Sequence, residues 1–134
     1  ERMNVRVVAM LDTLEYLKRG GRISKTVAFA GNLLAIKPVV NILEGTINML
    51  GKARGLKQAN SVLKSEIEKT GGVDFTRPVL LGYTGTGDDA LLRYMEDSKD
   101  LWAPAGEVRY TMIGSVIGTH AGPGAVAVAF FAAE

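Results

Sequence analysis

The chain has 134 residues, 47% hydrophobic and 22% charged, which is the balance of one soluble globular domain with enough apolar material for a single core. Sixteen Lys and Arg against fourteen Asp and Glu leave a net charge of +2, too small to drive binding to a nucleic-acid backbone. The absence of Cys removes thiol catalysis, disulfides and Cys-type zinc sites, a single His removes a His-rich metal site, and no apolar stretch reaches the roughly 18–20 residues that span a bilayer.

The chain opens at Glu1 and runs straight into the β-rich apolar segment Val5 to Leu11, so a piece of a longer protein is expected, with a first strand buried on both faces or near a sheet centre. Nothing at the start has the form of a signal peptide, and a cytoplasmic protein is the default expectation. Asp12 or Thr13 can cap a short helix through Lys18, which Gly20-Gly21 ends. Ser24 can cap a second helix, Lys25 to about Ala35, whose nearly continuous apolar surface suits burial or the lining of a cavity. Pro38 breaks any continuation, and Val39–Leu43, Glu44-Gly45 and Thr46–Leu50 read as a hairpin with a two-residue turn.

Leu56 to Thr70 places Leu56, Ala59, Val62, Leu63 and Ile67 on one helical face before Gly71-Gly72 stops it. Pro78 to Tyr83 predicts a strand, and Gly85-Thr86-Gly87-Asp88 turns it into a helix from about Asp89 to Ser98, with Asp88 and Asp89 read as cap residues. Glu107 to Met112 alternates like a half-exposed strand, and the apolar run Gly124 to Ala133 suits a central one. Strands interleaved with helices, plus one hairpin, predict an α/β fold: a mixed sheet of about six strands covered by helices, forming one domain over residues 1–134.

Three segments can carry chemistry. Ile113-Gly114-Ser115-Val116-Ile117-Gly118-Thr119-His120-Ala121-Gly122-Pro123-Gly124 has four glycines and a proline that fix turns and present Thr119 and His120 beside backbone amides. Such a loop either joins two strands, with His120 as a structural hydrogen-bonder, or holds a ligand with one acidic end. It lacks the Gly-Lys-Ser/Thr ending of a P-loop. Gly20-Gly21-Arg22-Ile23-Ser24 puts a cation ahead of a capped helix, as a plain link with a solvated Arg or as an anion site. Lys52-Ala53-Arg54-Gly55-Leu56-Lys57 is a basic turn that is either solvated surface or a dock for an acidic or phosphate-bearing partner.

Four segments taken in order, Leu14 to Ser24, then Ile36-Lys37-Pro38, then Arg54 to Ala59, then Ile117 to Gly124, resemble the successive signatures of the DegV family over that family's C-terminal domain. The resemblance implies a DegV C-terminal-domain-like fold and the lipid-holding half of a two-domain, FakB-type fatty-acid-binding protein whose N-terminal domain is absent. It implies a carrier, not an enzyme. A long-chain fatty acid would be buried as ligand, with no cofactor or metal, and its carboxylate presented to an ATP-dependent fatty acid kinase subunit, which forms acyl phosphate for phospholipid metabolism.

In the family the carboxylate lies between a Thr and a Ser of the N-terminal domain and a His of the C-terminal domain, with an Arg in support. The matching residues here are His120 and Arg22, and Thr119 adds a donor. Val27, Phe29, Leu33, Leu34 and Ile36 are the expected acyl-chain pocket, where each buried methylene contributes about 0.8 kcal/mol. Arg54 matches the residue associated with kinase engagement, with Lys52 beside it. The family often carries Arg-Gly-Arg or Arg-Thr-Arg where this chain has Lys52-Ala53-Arg54. The alternatives are a small-molecule enzyme using His120 as general acid or base, and a regulatory interaction domain built on the basic turn.

Overall fold

A computed structural model describes residues 5–13, 16, 19, 36–43, 46–114 and 122–133. The elements are β1 (Val5–Met10), β2 (Lys37–Leu43), β3 (Thr46–Ala53), α1 (Leu56–Lys69), β4 (Leu80–Tyr83), α2 (Asp89–Asp97), α3 (Lys99–Trp102), a 3-10 turn (Ala103–Ala105), β5 (Tyr110–Met112) and β6 (Val126–Phe131). The strands form one sheet in the order β3-β2-β1-β6-β4-β5. Its pairs are antiparallel except β4 with β5, so the expected mixed six-stranded sheet is what forms. The helix expected at Lys25 to Ala35 and the Glu44-Gly45 turn lie outside the described residues, as does most of the Thr13–Lys18 helix, of which Tyr16 is described and helical.

Strand alternation sorts the sheet into two faces. On the first, Val8, Met10, Val39, Leu81, Val126, Val128 and Phe130 meet Leu63 and Ile67 of α1, Leu91 and Tyr94 of α2, and Trp102 of α3 in one buried core. Ala59, Leu63 and Ile67 recur every fourth residue on α1, which is why one helical stripe is enough to cover this face. The helix ends as expected. The amides of Thr70 and Gly71 donate to Ile67 and Glu68, and Gly71 takes a φ of 101° with its α-carbon so close to the chain end that a Cβ would stand 2.6 Å from the Ala133 carbonyl oxygen.

Four expectations are corrected. Pro38 lies within β2, because near a strand's start its missing N–H costs little, and its carbonyl accepts the Leu11 amide at 2.8 Å. β3 runs on through Ala53, past the expected Leu50, with a register shift opposite Val39 and Val40. β5 is three residues long and exposed throughout, as an edge strand paired only with β4. Asp88 stands at the N-cap of α2 but makes no capping hydrogen bond, since its carboxylate instead accepts the Tyr110 hydroxyl at 3.1 Å.

Tyr94 is fully buried, and its oxygen accepts the Trp102 indole N–H at 3.0 Å. Burial raises the phenol's pKa well above its usual value, so the tyrosine stays neutral through the physiological range. Tyr94→Phe is expected to cost about 1–3 kcal/mol, because it strands the buried indole donor rather than removing a redundant bond. Chemical unfolding of the two forms at neutral pH measures this. The tyrosine's folded value is raised, so the wild type's own stability from this group is complete below pH 10.0 and declines as pH rises beyond it, a decline the phenylalanine variant should lack.

Candidate functional site

The extension of β3 has a functional consequence. Pairing of Lys37 with Ala53 and of Pro38 with Lys52 carries the basic turn to the same sheet end as the Lys37-Pro38 segment. β1 ends there too, where Leu11 bonds to Pro38 and the next residue, Asp12, forms an ion pair with Lys37. The Gly122-Pro123-Gly124 turn closes the group. Gly124 lies over Asp12, a Cβ on it falling 3.5 Å from the aspartate Cβ, and Gly122 is in contact with the ring of Tyr16, in the first of the four sequence segments. Arg19, three residues on, holds its guanidinium 5.9 Å from the centre of the same ring. The described residues of all four segments therefore meet at one end of the sheet, although the segments are spread from Leu14 to Gly124 in sequence.

Thr84, directly after β4, ties the last of these segments down. Its hydroxyl donates to the Gly122 carbonyl at 2.5 Å and accepts the Ala125 amide at 2.9 Å. Its amide donates to Ala125 and its carbonyl accepts from Gly124, both at 3.1 Å. Lys52, Arg54 and Lys57 are exposed at or just beyond the same end, and the Arg54 amide is held by the Gln58 side chain at 2.7 Å.

The second sheet face leads away from this end. Its registers align Met49, Val40, Ala9, Ala127 and Gly82 in one row across five strands, and Ile47, Ile42, Val7, Ala129 and Leu80 in the next. No polar side chain interrupts these ten positions, and the small side chains of Ala9, Ala127 and Ala129 form a strip in their middle; on the edge strand β5 the first row ends on Thr111, beside Gly82. Ile113 packs over Gly82 beside this strip, where a Cβ would come 2.9 Å from it. Ala9, Leu11, Val40 and Ala125 are buried near the motif end, whereas Ile42 and Leu80 in the second row are 47% and 48% exposed. α1 and α2 send their buried side chains into the other face.

Of the residues expected from sequence, Arg54 and Lys52 are at this end and exposed, and Ile36 is half-buried just before β2. Arg22, Val27, Phe29, Leu33, Leu34, Thr119 and His120 lie outside the described residues. Sequence reasoning missed Thr84, Tyr16 as the partner of Gly122, and the strip of alanines. The available signals were a Thr closing the Pro78–Tyr83 run and the repeated alanines of β6.

A family model described as an uncharacterised protein of the DegV family matches residues 2–133. The chain belongs to the DegV family. A DegV domain-containing protein of Clostridium perfringens is 36% identical over 122 residues, which are 90% of this chain and 41% of that one. The chain spans less than half the length of the curated relatives it matches. Among solved DegV structures, one from Thermus thermophilus described as showing fatty acid binding is 30% identical, with a TM-score of 0.77 over 98% of this chain and 47% of that one. A fatty acid binding DegV protein of Streptococcus agalactiae is 27% identical, with a TM-score of 0.78 over 98% and 46%. The Streptococcus pneumoniae Fatty Acid Kinase B3 protein, solved with linoleic acid, shares the DegV fold at a TM-score of 0.82 and 20% identity, over 97% of this chain and 45% of that one. No helix among the described residues is long and apolar enough to cross a membrane.

Proposed function

We propose that this chain is the acyl-holding part of a fatty-acid carrier that presents its ligand's carboxylate to an ATP-dependent kinase subunit in the cytoplasm. The observation that carries the reading is the convergence of the described residues of the four family segments at one end of the sheet, beside a sheet face that is apolar across five strands. An acyl chain is the guest such a face suits: non-directional burial along the strip of alanines supplies affinity, and polar groups are needed only at its head. Six residues of β6 at about 3.3 Å each give a surface of roughly 20 Å, long enough for an extended acyl chain.

In this reading His120, Arg22 and Thr119 face the carboxylate, and Val27, Phe29, Leu33, Leu34 and Ile36 complete the hydrocarbon lining. The rest of a full-length relative supplies the remaining carboxylate donors. Arg54 and Lys52 form the docking point for the kinase, which does the phosphoryl transfer, so the carrier needs no cofactor and no catalytic group of its own. Solved relatives described as fatty acid binding support the lipid half of this reading. The kinase half rests on the motif resemblance and the exposure of Arg54.

The test uses the full-length protein that contains this chain. Solvent extraction and mass spectrometry should release a long-chain fatty acid, and the delipidated protein should rebind palmitic acid. His120→Ala is expected to weaken that binding by about 10- to 100-fold, the loss of one charge-assisted hydrogen bond. Arg54→Glu should leave binding intact and depress acyl phosphate formation by the added kinase. A protein that contains no fatty acid and takes none up ends the proposal.

A further inference from the structure

Resting on the carrier reading, we propose that Thr84 is a positioning residue for the carboxylate end of the site. Thr84 is 2% exposed and its hydroxyl is used twice, as donor to Gly122 and as acceptor from Ala125. The β4–β6 ladder accounts for the geometry: it continues past Tyr83 and Val126 through Thr84 and Ala125 to Gly124, where the backbone turns away with a φ of +81°. Beyond that point, among the described residues, no strand partner meets the Gly122 carbonyl, and the threonine hydroxyl takes the place of one.

Gly122 is gripped from two sides. Thr84 holds its carbonyl, and the Tyr16 ring occupies the space where a Cβ would stand, 2.3 Å from the nearest ring carbon. His120 is joined to Gly122 through a single intervening residue, Ala121. Hydrogen bonds from a cation to a carboxylate hold their strength only near 2.7–2.9 Å, so the anchor of a donor two residues away sets how well that donor meets its acceptor. A threonine is suited to this because its β-branched side chain has few rotamers and its hydroxyl both donates and accepts.

The role differs from simple packing in what it should change. Thr84→Val keeps shape and burial while removing both hydrogen bonds, and Thr84→Ser keeps the hydroxyl. In the full-length protein, dissociation constants are measured for palmitic acid and for 1-hexadecanol, which has the same chain without the carboxylate. Thr84→Val should weaken palmitic acid about tenfold, the worth of one lost hydrogen bond, and leave the alcohol within about twofold. Thr84→Ser should restore the acid. Tyr16→Ala, which opens the other side of the grip, should shift the acid-to-alcohol ratio in the same direction and serves if the valine variant does not fold.

Equal weakening of acid and alcohol, or no change in either, overturns the inference while the carrier reading stands. A wild-type protein that binds neither ligand overturns both.

Discussion

Phe130→Ala is expected to destabilise the chain by about 3–5 kcal/mol, the range for truncating a fully buried aromatic. Phe130 is 1% exposed on β6, which is held between β1 and β4, and its side chain points into the core shared with α1 and α2. Strands on both sides prevent the backbone from closing over the cavity, so the cost should fall high in that range. Against a total of about 5–15 kcal/mol for a domain, this is a large fraction. Its neighbour Phe131 supplies the control. It is half-buried on the opposite face, with the Arg77 guanidinium 4.2 Å from its ring centre, and its truncation should cost about 1–2 kcal/mol in lost burial and cation–π attraction. Urea unfolding midpoints compared at equal slope measure both. Equal losses for the two phenylalanines would mean that the two faces do not differ as described, and a larger loss at Phe131 that they have been assigned the wrong way round.

That comparison shows where sequence legibility stopped. The run from Gly124 to Ala133 is plainly a strand, because β-branched, aromatic and alanine residues follow one another without a polar break. The same continuity hides which residues share a face, since both sides of the sheet are apolar and no alternation marks them. Only pairing with β1 and β4 separates Phe130 from Phe131. α1 was legible almost to the residue, since its period, a glycine before it and two after it all agree. β3 was cut short at Leu50 because Gly51 and Lys52 end the apolar pattern, yet the ladder continues there on backbone hydrogen bonds that no side-chain pattern reports. β5 is the reverse case: Glu107 to Met112 alternates well, but an edge position gives pairing for only three residues.

The motifs of the candidate site were legible as segments and illegible as a place. Asp12 with Lys37, Thr84 with Gly122, and Tyr16 with Gly122 are separated by 25, 38 and 106 positions, and nothing local in the sequence couples them. Thr84 in particular reads as an ordinary strand-end polar residue until the turn at Gly122 is laid beside it.

Gly122→Ala isolates this long-range coupling. The residue has a φ of +81°, where any side chain costs about 1–2 kcal/mol, and a Cβ would lie 2.3 Å from the Tyr16 ring, far inside the roughly 3.5–4.0 Å of ordinary carbon contact. Relieving that overlap must move the ring or the turn, adding about 1–3 kcal/mol. Gly124→Ala separates the two contributions, because Gly124 has the same φ of +81° but a Cβ there would make only an ordinary van der Waals contact, with Asp12 at 3.5 Å. It should lose only the backbone part. Tyr16→Ala placed in the Gly122→Ala background should return the steric part, giving a coupling of about 1–3 kcal/mol in a double-mutant cycle read by urea unfolding. If Gly122→Ala is no worse than Gly124→Ala, or if removing the Tyr16 ring gives no relief, the ring does not bear on the turn. If the coupling is found, the first and last family segments, 106 residues apart, act as one mechanical unit at the mouth of the apolar face.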